Sequence, residues 1–439
     1  MSCFCSFGNG DILSKASLKI EDFMLPVVDF RDIVFKRGFG SHLWDENSKR
    51  YTDLCAGQFC AVFGHSNKEV QQVLVSISSS LQDTDTSSVS MSVLEASQAL
   101  RTTMSELGKA RFIYLSTGAE ANEFALRYSK FLREKNGVVA MTEAYHGQTH
   151  GTASYSNSRS RVRPQLEESF HFPAPNPSGL GGRPAITEEE SLSALKIILE
   201  NNGDRIACLI FEPILSGAGV LSISPSFAKR MVAMSREHGL HIVMDECQTG
   251  FGRTGRWYAY QDLGVEPDFL VLGKAPGLGY PVAIVAANGN TITNSHFGMK
   301  HFSSHQNEPF AGSLVKYAIS KIERDGILRK IYEDGEFLKR ELLALTRDAK
   351  RPLSVRGAGL LLGFDLAEDL TEADGPQVGS RFVSDLQQRG VLLQVCNYGR
   401  TVRLLPDYLV SRDTLADAAE HIARVYISHL ESTYEREVN

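Results

Sequence analysis

Residues 240–256 read LHIVMDECQTGFGRTGR and residues 268–280 read DFLVLGKAPGLGY, and these two segments decide the fold. Each contains a short apolar run with the length and composition of a buried parallel strand. The first run ends in Asp245 and the second is followed by a glycine and Lys274. Because the carboxyl ends of neighbouring parallel strands open onto one crevice, we expect a carboxylate and an amine to meet there.

A carboxylate and an amine in one crevice suit a particular cofactor chemistry. A lysine at a strand end can form a Schiff base with an aldehyde if burial or a nearby cation keeps its amine partly neutral. A carboxylate beside it can hold the protonated ring nitrogen of a pyridine. Both requirements belong to pyridoxal phosphate, whose ring is an electron sink only while that nitrogen stays protonated. The plainer alternative is a surface Lys274 and a capping Asp245 that never meet, since charged strand ends are common.

The residues between the two strands favour the cofactor interpretation. With them, the run 240–280 resembles the signature of the class III (subgroup II) aminotransferases, a pyridoxal-phosphate family of fold type I. The likeness covers nearly the whole chain, and its motif detail is most similar to that of the 2,2-dialkylglycine decarboxylases. The resemblance implies an α/β fold with a large domain, whose mostly parallel seven-stranded sheet is flanked by helices. A smaller α+β domain would be built from both termini.

The predicted organisation has three parts. Residues 1–60 form an amino-terminal arm and part of the small domain, 61–320 the large cofactor-binding domain, and 321–439 the carboxy-terminal small domain. Residues 155–185 are rich in Ser, Pro, Gly and Arg, and we expect them to form a surface excursion over the site. A long helix should run from about residue 311 toward residue 350 with a break near the glycine at 326.

Length and composition exclude several classes of function. The chain has 439 residues, 42% of them hydrophobic and 22% charged, and a formal net charge of −6, so it is long enough for more than one domain and offers no basic surface for nucleic acid or a membrane. No apolar run approaches the roughly 18 residues that span a bilayer. Seven cysteines form no regular framework, which is typical of reduced thiols. We expect a cytoplasmic enzyme without a metal.

A candidate phosphate cup lies where a predicted strand turns into a helix, at Thr117, Gly118 and Ala119. Small residues at such a turn leave backbone N–H groups free, and the helix dipole favours an anion there. The signal is weak by itself, because small-residue caps are common. The resemblance adds an aromatic ring over the cofactor face, and the candidate for it is Tyr145.

The resemblance also implies roles around the cofactor ring. Lys274 would be the Schiff-base residue and Asp245 the partner of the ring nitrogen, and these two are the catalytic candidates. Cys247 would pack under the ring and Gln248 would bond its phenolic oxygen. Ser304 matches a threonine that reaches the phosphate of the neighbouring subunit. Each active site would then need two chains, which implies a homodimer or a dimer of dimers.

The substrate-binding candidates are Gln58, Glu212, Ser216 and Arg403. An arginine in an apolar strand is costly to bury unless an anion meets it, and the resemblance assigns Arg403 to the α-carboxylate of an amino acid. A snorkelling edge arginine is the alternative. The resemblance places Gln58 and Ser216 on the substrate side, and Glu212 where it can pair with Arg403. Gln58 could instead be a polar loop residue bonded to backbone.

These residues favour an aminotransferase that moves an amino group between an amino acid or amine and a keto acid. The runner-up is a decarboxylation-dependent transaminase of the 2,2-dialkylglycine decarboxylase type. Which bond at Cα breaks depends on how the carboxylate is held relative to the ring, and the sequence does not fix that angle. An amino-acid racemase or epimerase is a third option. A non-catalytic cofactor-binding protein would be expected to have lost Lys274 or Asp245, and both are present.

Overall fold

A seven-stranded sheet is at the centre of the computed structural model, which describes residues 20–156, 168–176, 178–180, 184–292, 299–366 and 374–437. The strands in the described part are β1 (Phe35–Phe39), β2 (His42–Asp45), β3 (Arg50–Asp53), β4 (Arg111–Leu115), β5 (Gly137–Met141), β6 (Ser169–Phe172), β7 (Ile206–Phe211), β8 (Ile214–Leu215), β9 (Leu221–Ser222), β10 (His241–Asp245), β11 (Phe269–Leu272), β12 (Ala283–Ala287), β13 (Arg356–Ala358), β14 (Leu361–Asp365), β15 (Val391–Leu392), β16 (Gln394–Cys396) and β17 (Thr401–Leu404).

The helices connect and cover these strands. They are α1 (Ala56–Phe59), α2 (Lys68–Ser78), α3 (Met91–Thr103), α4 (Gly118–Arg133), α5 (His150–Ala153), α6 (Glu188–Asn202), α7 (Pro225–Glu237), α8 (Ala259–Leu263), α9 (Pro309–Arg324), α10 (Ile327–Thr346), α11 (Gly375–Gln388) and α12 (Arg412–Glu437). Within the described ranges, no helix is both long and apolar enough to cross a membrane.

The large sheet has the strand order β4-β12-β11-β10-β7-β5-β6. Its pairs are parallel except at β12, which runs antiparallel to both β11 and β4. Every residue of β5, β7 and β11 is buried, as expected for strands covered on both faces. The observed sheet confirms the predicted α/β fold with a mostly parallel seven-stranded sheet.

The side chains of alternate strand residues belong to two separate apolar layers, one on each face of the sheet. On one face Val138, Ile210, Val243 and Val271 pack with the apolar side of α4. On the other face the intervening residues join a larger cluster that continues into the carboxy-terminal helices. This alternation follows from the two-residue period of a strand, and it fixes which residues end at the carboxyl edge.

The helix next to the candidate phosphate cup has a well-defined start. Thr117 is the N-cap of α4, and its side chain accepts a hydrogen bond from the Glu120 N–H at 3.2 Å. A hydroxyl at this position satisfies one of the backbone donors that a helix leaves unpaired at its first turn. The turn from β4 into α4 is therefore set by local sequence, as the small residues at 117–119 predict.

Two smaller four-stranded sheets lie outside the large sheet, and one of them combines strands from both ends of the chain. One has the order β1-β2-β3-β15, in which the carboxy-terminal β15 pairs parallel with the amino-terminal β3. The other has the order β13-β14-β17-β16. The sequence indicates one strand over 391–395, but the chain changes sheets at Leu393 and forms two short strands instead. The second of these, β16, lies beside β17 and so reaches the substrate side of the site.

The long helix predicted after residue 311 is broken where expected. Gly326 has φ of 62° between α9 and α10, a conformation that glycine adopts without steric cost. By contrast, α11 begins at Gly375, inside a stretch that the sequence suggests is a polar loop. Part of the predicted surface excursion at 155–185 falls outside the described residues. The part of the amino-terminal arm before residue 20 falls wholly outside them.

Candidate active site

Asp245 is the most tightly held carboxylate at the carboxyl edge of the large sheet. Its side chain is 4% exposed. Its Oδ2 atom accepts hydrogen bonds from the Asn122 side-chain amide at 2.7 Å and from Nδ1 of His146 at 2.8 Å. Its Oδ1 atom accepts from the Cys247 N–H at 3.0 Å. Three donors therefore fix the carboxylate in one orientation, and Oδ1 keeps a free lone pair for one more donor.

These donors decide the charge of Asp245. Burial by itself raises the pKa of a carboxyl group, but the hydrogen bond and charge of His146, the Cys247 N–H and the nearby Lys274 together lower the pKa of Asp245. A carboxylate that stays ionised in a buried site needs a cationic or strongly donating partner. Asp245 can therefore hold a protonated ring nitrogen.

Lys274 lies next to Asp245 through Cys247. The Lys274 Nζ is 3.5 Å from the Cys247 carbonyl oxygen, while the N–H of the same cysteine donates to Asp245. Lys274 has φ of 59° and ψ of −84°, a conformation that a residue with a side chain rarely adopts. Such strain is retained at functional sites when the surrounding structure fixes it, here between β11 and the 3-10 turn Ala275–Gly277. The predicted amine and carboxylate therefore lie on either side of Cys247.

The candidate phosphate cup has unpaired donors. The N–H groups of Gly118 and Ala119, at the start of the 16-residue α4, donate to no other described residue. A Cβ atom on Gly118 would lie 2.7 Å from the Cys247 sulfur, and one on Gly147 would lie 2.4 Å from the Ala119 Cβ. Only small residues fit these contacts, and the helix N-terminus that they shape is suited to an anion.

Tyr145 and Glu212 join the cofactor side of the crevice to the substrate side. The Tyr145 N–H donates to the Glu212 carboxylate at 2.8 Å, and the tyrosine ring is 44% exposed. Burial raises the pKa of the Tyr145 hydroxyl, the charges of Glu212 and Asp245 add to the rise, and Arg403 opposes it. Tyr145 therefore lies within reach of the groups on both sides, as a ring over a bound cofactor must.

Glu212 is buried with few donors, and its charge depends on pH. Burial raises the pKa of Glu212 to about 7, and the nearby Asp245 adds to this rise. An acid with a raised pKa in the folded state holds a proton that the unfolded chain has already released. Between about pH 4.5 and pH 7 the folded state therefore loses stability as pH rises.

This pH dependence gives a first prediction. In the cofactor-free wild type, the unfolding free energy should fall between pH 5 and pH 8. In Glu212→Gln this fall should be smaller by about 3 kcal/mol, since one pKa unit corresponds to about 1.4 kcal/mol. Glutamine keeps the acceptor for the Tyr145 N–H but carries no charge to bury. Urea unfolding at the two pH values measures the difference, with the exposed Glu200→Gln as the control. Parallel pH curves for wild type and Glu212→Gln would contradict the buried-acid assignment.

Arg403 stands in the middle of β17 and is bound only by neutral groups. One terminal nitrogen donates to the Ser216 hydroxyl at 3.3 Å, and the other donates to the Gln394 carbonyl oxygen at 3.1 Å. Its guanidinium lies 4.9 Å from the centre of the Phe59 ring. The buried Nε has no hydrogen-bond partner among the described residues. A partly buried cation with unused donors is suited to bind a carboxylate.

The pairing of Glu212 with Arg403 that the resemblance implies is not observed. Glu212 bonds the Tyr145 backbone instead, and Arg403 forms no ion pair within the described part of the chain. The hairpin β8–β9 places Ser216 against the arginine, and the next residue, Gly217, has no side chain that could reach it. Among the described residues, therefore, no acidic side chain neutralises the arginine.

The remaining candidates lie at the border of the site. Gln58 is exposed, and its side-chain carbonyl accepts a hydrogen bond from the Gln394 amide at 2.9 Å. Ser304 is exposed and forms no hydrogen bond to another described residue. Gln248 is half-buried three residues beyond Asp245, and none of its hydrogen bonds involves another described residue. The structure thus joins Gln58 to Arg403, whereas the roles of Gln248 and Ser304 remain expectations from the resemblance.

Sequence reasoning missed three residues that complete the site. Asn122 and His146 both donate to Asp245, although they lie 123 and 99 residues away along the chain. Gln394, which lies 336 residues from Gln58 along the chain, links Gln58 to Arg403. The position of His146 beside the aromatic residue was the available signal, but the sequence alone favours a purely structural role for it.

The residues present fit pyridoxal phosphate by their chemistry. Asp245 offers a buried, ionised acceptor for a ring nitrogen, and Lys274 offers an amine for an aldehyde. The free N–H groups of Gly118 and Ala119 offer donors for a phosphate. Among the described residues, no group of three or more His, Cys, Asp or Glu side chains could hold a metal ion.

Comparison with known proteins agrees with this chemistry. The sequence model of the family described as aminotransferase class-III matches residues 26–426. An uncharacterized aminotransferase of Schizosaccharomyces pombe is 28% identical over 409 residues, which are 89% of this chain and 90% of the relative. A putative [LysW]-aminoadipate semialdehyde/glutamate semialdehyde transaminase of Aeropyrum pernix is 30% identical over 88% of this chain and 92% of its own. The crystal structure of a Bacillus anthracis aminotransferase superposes with a TM-score of 0.84 at 20% identity, covering 93% of this chain and 96% of that one.

Proposed function

Because the chain belongs to the class-III aminotransferase family, a pyridoxal-phosphate-dependent family, we propose that it transfers the amino group of an α-amino acid to a keto acid through Lys274. The observation that carries the proposal is the placement of Lys274 and Asp245 on either side of Cys247, with Tyr145 close enough to Asp245 and to the cationic Arg403 for both charges to act on its hydroxyl. It brings together a site for an aldehyde, a site for a ring nitrogen and a site for a carboxylate.

Seven residues would hold the cofactor. Lys274 would bind its aldehyde carbon, and Asp245 its ring nitrogen. Gly118, Ala119 and the Thr117 hydroxyl would bind its phosphate at the start of α4, where the backbone donors are free. Cys247 packs between Gly118 and the backbone before Lys274, so its sulfur would line the face of the ring, and Gln248 is proposed for its phenolic oxygen. When bound, the cofactor supplies an electron sink for the bond that breaks at Cα.

The protein supplies charge and proton transfer around that sink. Asp245 keeps the ring nitrogen protonated because three hydrogen bonds, one of them from the His146 ring, hold the carboxylate in its charged form. The Nζ amine of Lys274 is the base that takes a proton from the substrate Cα, and it later donates a proton as the acid. Tyr145 covers the site on the face next to Gly217 and keeps water from the reacting carbon.

Arg403 defines the substrate class. It has no acidic partner among the described residues, and two of its five N–H donors bind only the neutral Ser216 and Gln394. A substrate carboxylate would therefore meet a charge that the protein leaves uncompensated, in a partly desolvated site. This supports α-amino acids and their keto acids over amines that lack a carboxylate.

The chain is proposed to act as a dimer. Ser304 is exposed in one chain, and the neighbouring Phe302 is 72% exposed. Further apolar side chains near the amino terminus are also exposed, among them Phe23, Leu25 and Val27 at 66%, 77% and 79%. Exposed apolar patches of this kind mark surfaces that associate. A partner chain on this surface would let Ser304 contribute to the phosphate site of the other subunit.

A panel of amino donors tests the proposed function. Purified protein with pyridoxal phosphate should convert unbranched α-amino acids to keto acids at least about 10-fold more efficiently than amines without a carboxylate, because a charge-assisted pair with Arg403 contributes about 1.5–3 kcal/mol. Keto-acid formation and carbon dioxide release are measured together, with alanine and 2-aminoisobutyrate as the paired substrates. No keto acid from any donor would overturn the proposal.

The same panel separates the decarboxylating alternative. The observation that supports this alternative is the link from Gln58 through Gln394 to Arg403. It brings the Gln58 amide toward the arginine that would bind the carboxylate. Carbon dioxide released in step with ketone from 2-aminoisobutyrate would favour the 2,2-dialkylglycine decarboxylase type. Turnover of alanine without gas from the disubstituted substrate would remove it.

A further inference from the structure

The side chains of Arg403, Gln394 and Gln58 form one hydrogen-bonded series on the substrate side of the site. Gln394 and Arg403 are directly paired residues on the antiparallel strands β16 and β17, so their side chains emerge on the same face. Arg403 donates to Gln394 at 3.1 Å, and Gln394 donates to Gln58 at 2.9 Å. The strand opposite Arg403 on its other side carries Gly363, which offers no side chain.

The chemistry of the arginine fixes the direction of every bond in this series. A guanidinium has five donors and no acceptor, so Gln394 must turn its carbonyl oxygen toward Arg403. The NH2 group of Gln394 then faces Gln58, and Gln58 must accept with its own carbonyl oxygen. Its NH2 group is left as the uncommitted end, since it donates to no other described residue. Each amide can point only one way while the series is intact.

Gln58 is held in place for this contact by its own loop. Asp53 accepts hydrogen bonds from the Cys55 N–H at 2.9 Å, from the Gly57 N–H at 2.7 Å and from Nε2 of His65 at 2.8 Å. The segment around Gln58 has positive φ at 56, 57 and 59, which is a strained backbone for non-glycine residues. Strain retained by a buried carboxylate indicates that the position of the amide matters.

The two ends of this series therefore present N–H donors. They are the free N–H groups of Arg403, including its buried Nε, and the NH2 group of Gln58. No described acidic side chain pairs with the arginine, so nothing in the described ranges offsets this polarity. A substrate group that only accepts hydrogen bonds, such as a carboxylate, fits this arrangement. An ammonium group would leave donors facing donors, and an amide would match with its carbonyl oxygen only.

We propose that Gln394 is a specificity-determining residue that fixes the polarity of the carboxylate site. Its amide accepts from Arg403 and donates to Gln58, so the hydrogen-bond direction that the arginine sets is passed on to Gln58. The NH2 group of Gln58 is thereby left available to the substrate. The inference rests on the proposed function in that Arg403 binds the substrate carboxylate. Gln394 acts through its two neighbours and is a positioning residue, not a catalytic one.

The test is to reverse the polarity with Gln394→Glu in the holoenzyme. A glutamate accepts hydrogen bonds only, so it would pair with Arg403 and draw the NH2 group of Gln58 toward itself, leaving the Gln58 carbonyl as the free end. We expect KM for an α-amino acid to rise by about 10- to 100-fold, the effect of losing a hydrogen bond to a charged group, while kcat changes by less than about threefold. The exposed Gln388→Glu on α11 makes the same charge change away from the site and should leave both constants unchanged.

A second variant separates the loss of the series from the added charge. Gln394→Met keeps the length of the side chain without its amide, and KM should rise by about 5- to 10-fold because a neutral hydrogen bond is lost. The double variant Gln58→Ala/Gln394→Met should raise KM by a smaller factor than the product of the two single-variant factors, since each change breaks the same series. Independent, multiplicative effects would overturn the proposal.

A binding measurement tests the role of Gln394 independently of the proposed transaminase activity. Isobutyrate, a carboxylate without an amino group, is titrated calorimetrically into the cofactor-free proteins. Its affinity should fall by about 10-fold or more in Gln394→Glu and stay unchanged in Gln388→Glu. A wild-type protein that never transaminates would end the proposed function. Isobutyrate affinity and KM within about twofold of wild type in both Gln394 variants would overturn the polarity role.

Discussion

Lys274→Ala is expected to lower kcat by roughly 10⁴-fold or more, the size of effect seen when a residue that is both nucleophile and base is lost. Alanine removes the amine that binds the cofactor aldehyde and the base that moves the proton at Cα. The neighbouring Asp245 keeps its three hydrogen bonds, because none of them comes from Lys274. The pocket should therefore stay folded and still take up cofactor, although without a covalent link.

Two readouts follow this change. Single-turnover kinetics with an α-amino acid give the rate loss, and reduction with borohydride shows whether cofactor remains attached after unfolding. Lys316→Ala is the matched control, because this lysine is exposed and pairs only with Glu95 among the described residues. Lys274→Ala with kcat within about 10-fold of wild type would show that another group is the base.

Asp245→Asn is expected to lower kcat by about 10³-fold, comparable with the loss of one preorganised electrostatic group in an active site. Asparagine has nearly the same size and can still accept from the Cys247 N–H. It carries no negative charge, so a ring nitrogen beside it would lose its proton and the electron sink would weaken. The loss should fall on kcat more than on KM, because the charge acts on the bond-breaking step.

The comparison for this variant is Asp262→Asn, which removes a carboxylate that is 57% exposed and paired with Arg256 on the surface. Its kinetics should match those of wild type. Absorption spectra of the bound cofactor report the protonation of the ring nitrogen without relying on turnover. An Asp245→Asn protein with wild-type kcat would mean that the carboxylate does not act on the ring.

The sequence predicts the parts of this site that local rules determine. Asp245 and Lys274 each follow a buried apolar strand, and neighbouring parallel strands bring their carboxyl ends together. The cup at 117–119 follows from small residues before an amphipathic helix. For these residues, position along the chain already implies position in space, and Cys247 is observed in contact with both Asp245 and Lys274.

The residues that sequence reasoning missed depend on contacts between distant segments. His146 acts on Asp245 only because β5 and β10 both lie beside β7 in the large sheet. Gln394 reaches Arg403 because the chain leaves β15 at residue 393 and enters a different sheet as β16. A one-residue shift there would turn Gln394 to the opposite face, and no local pattern reports that register.

The absent pair between Glu212 and Arg403 has a similar origin. The carboxyl end of β7 brings Glu212 next to the backbone of Tyr145, which satisfies one of its oxygens. The hairpin that follows then turns Ser216 toward the arginine. Family likeness predicts that the acid lies in the site, but it does not predict which donor the acid binds.

The most direct test of the central claim is to reduce the purified holoenzyme with borohydride, digest it and locate the pyridoxyl group by mass spectrometry. The account predicts one modified lysine, Lys274, and a loss of the visible absorption band on reduction. A colourless protein that takes up no pyridoxal phosphate, or a pyridoxyl group on any other lysine, would contradict it.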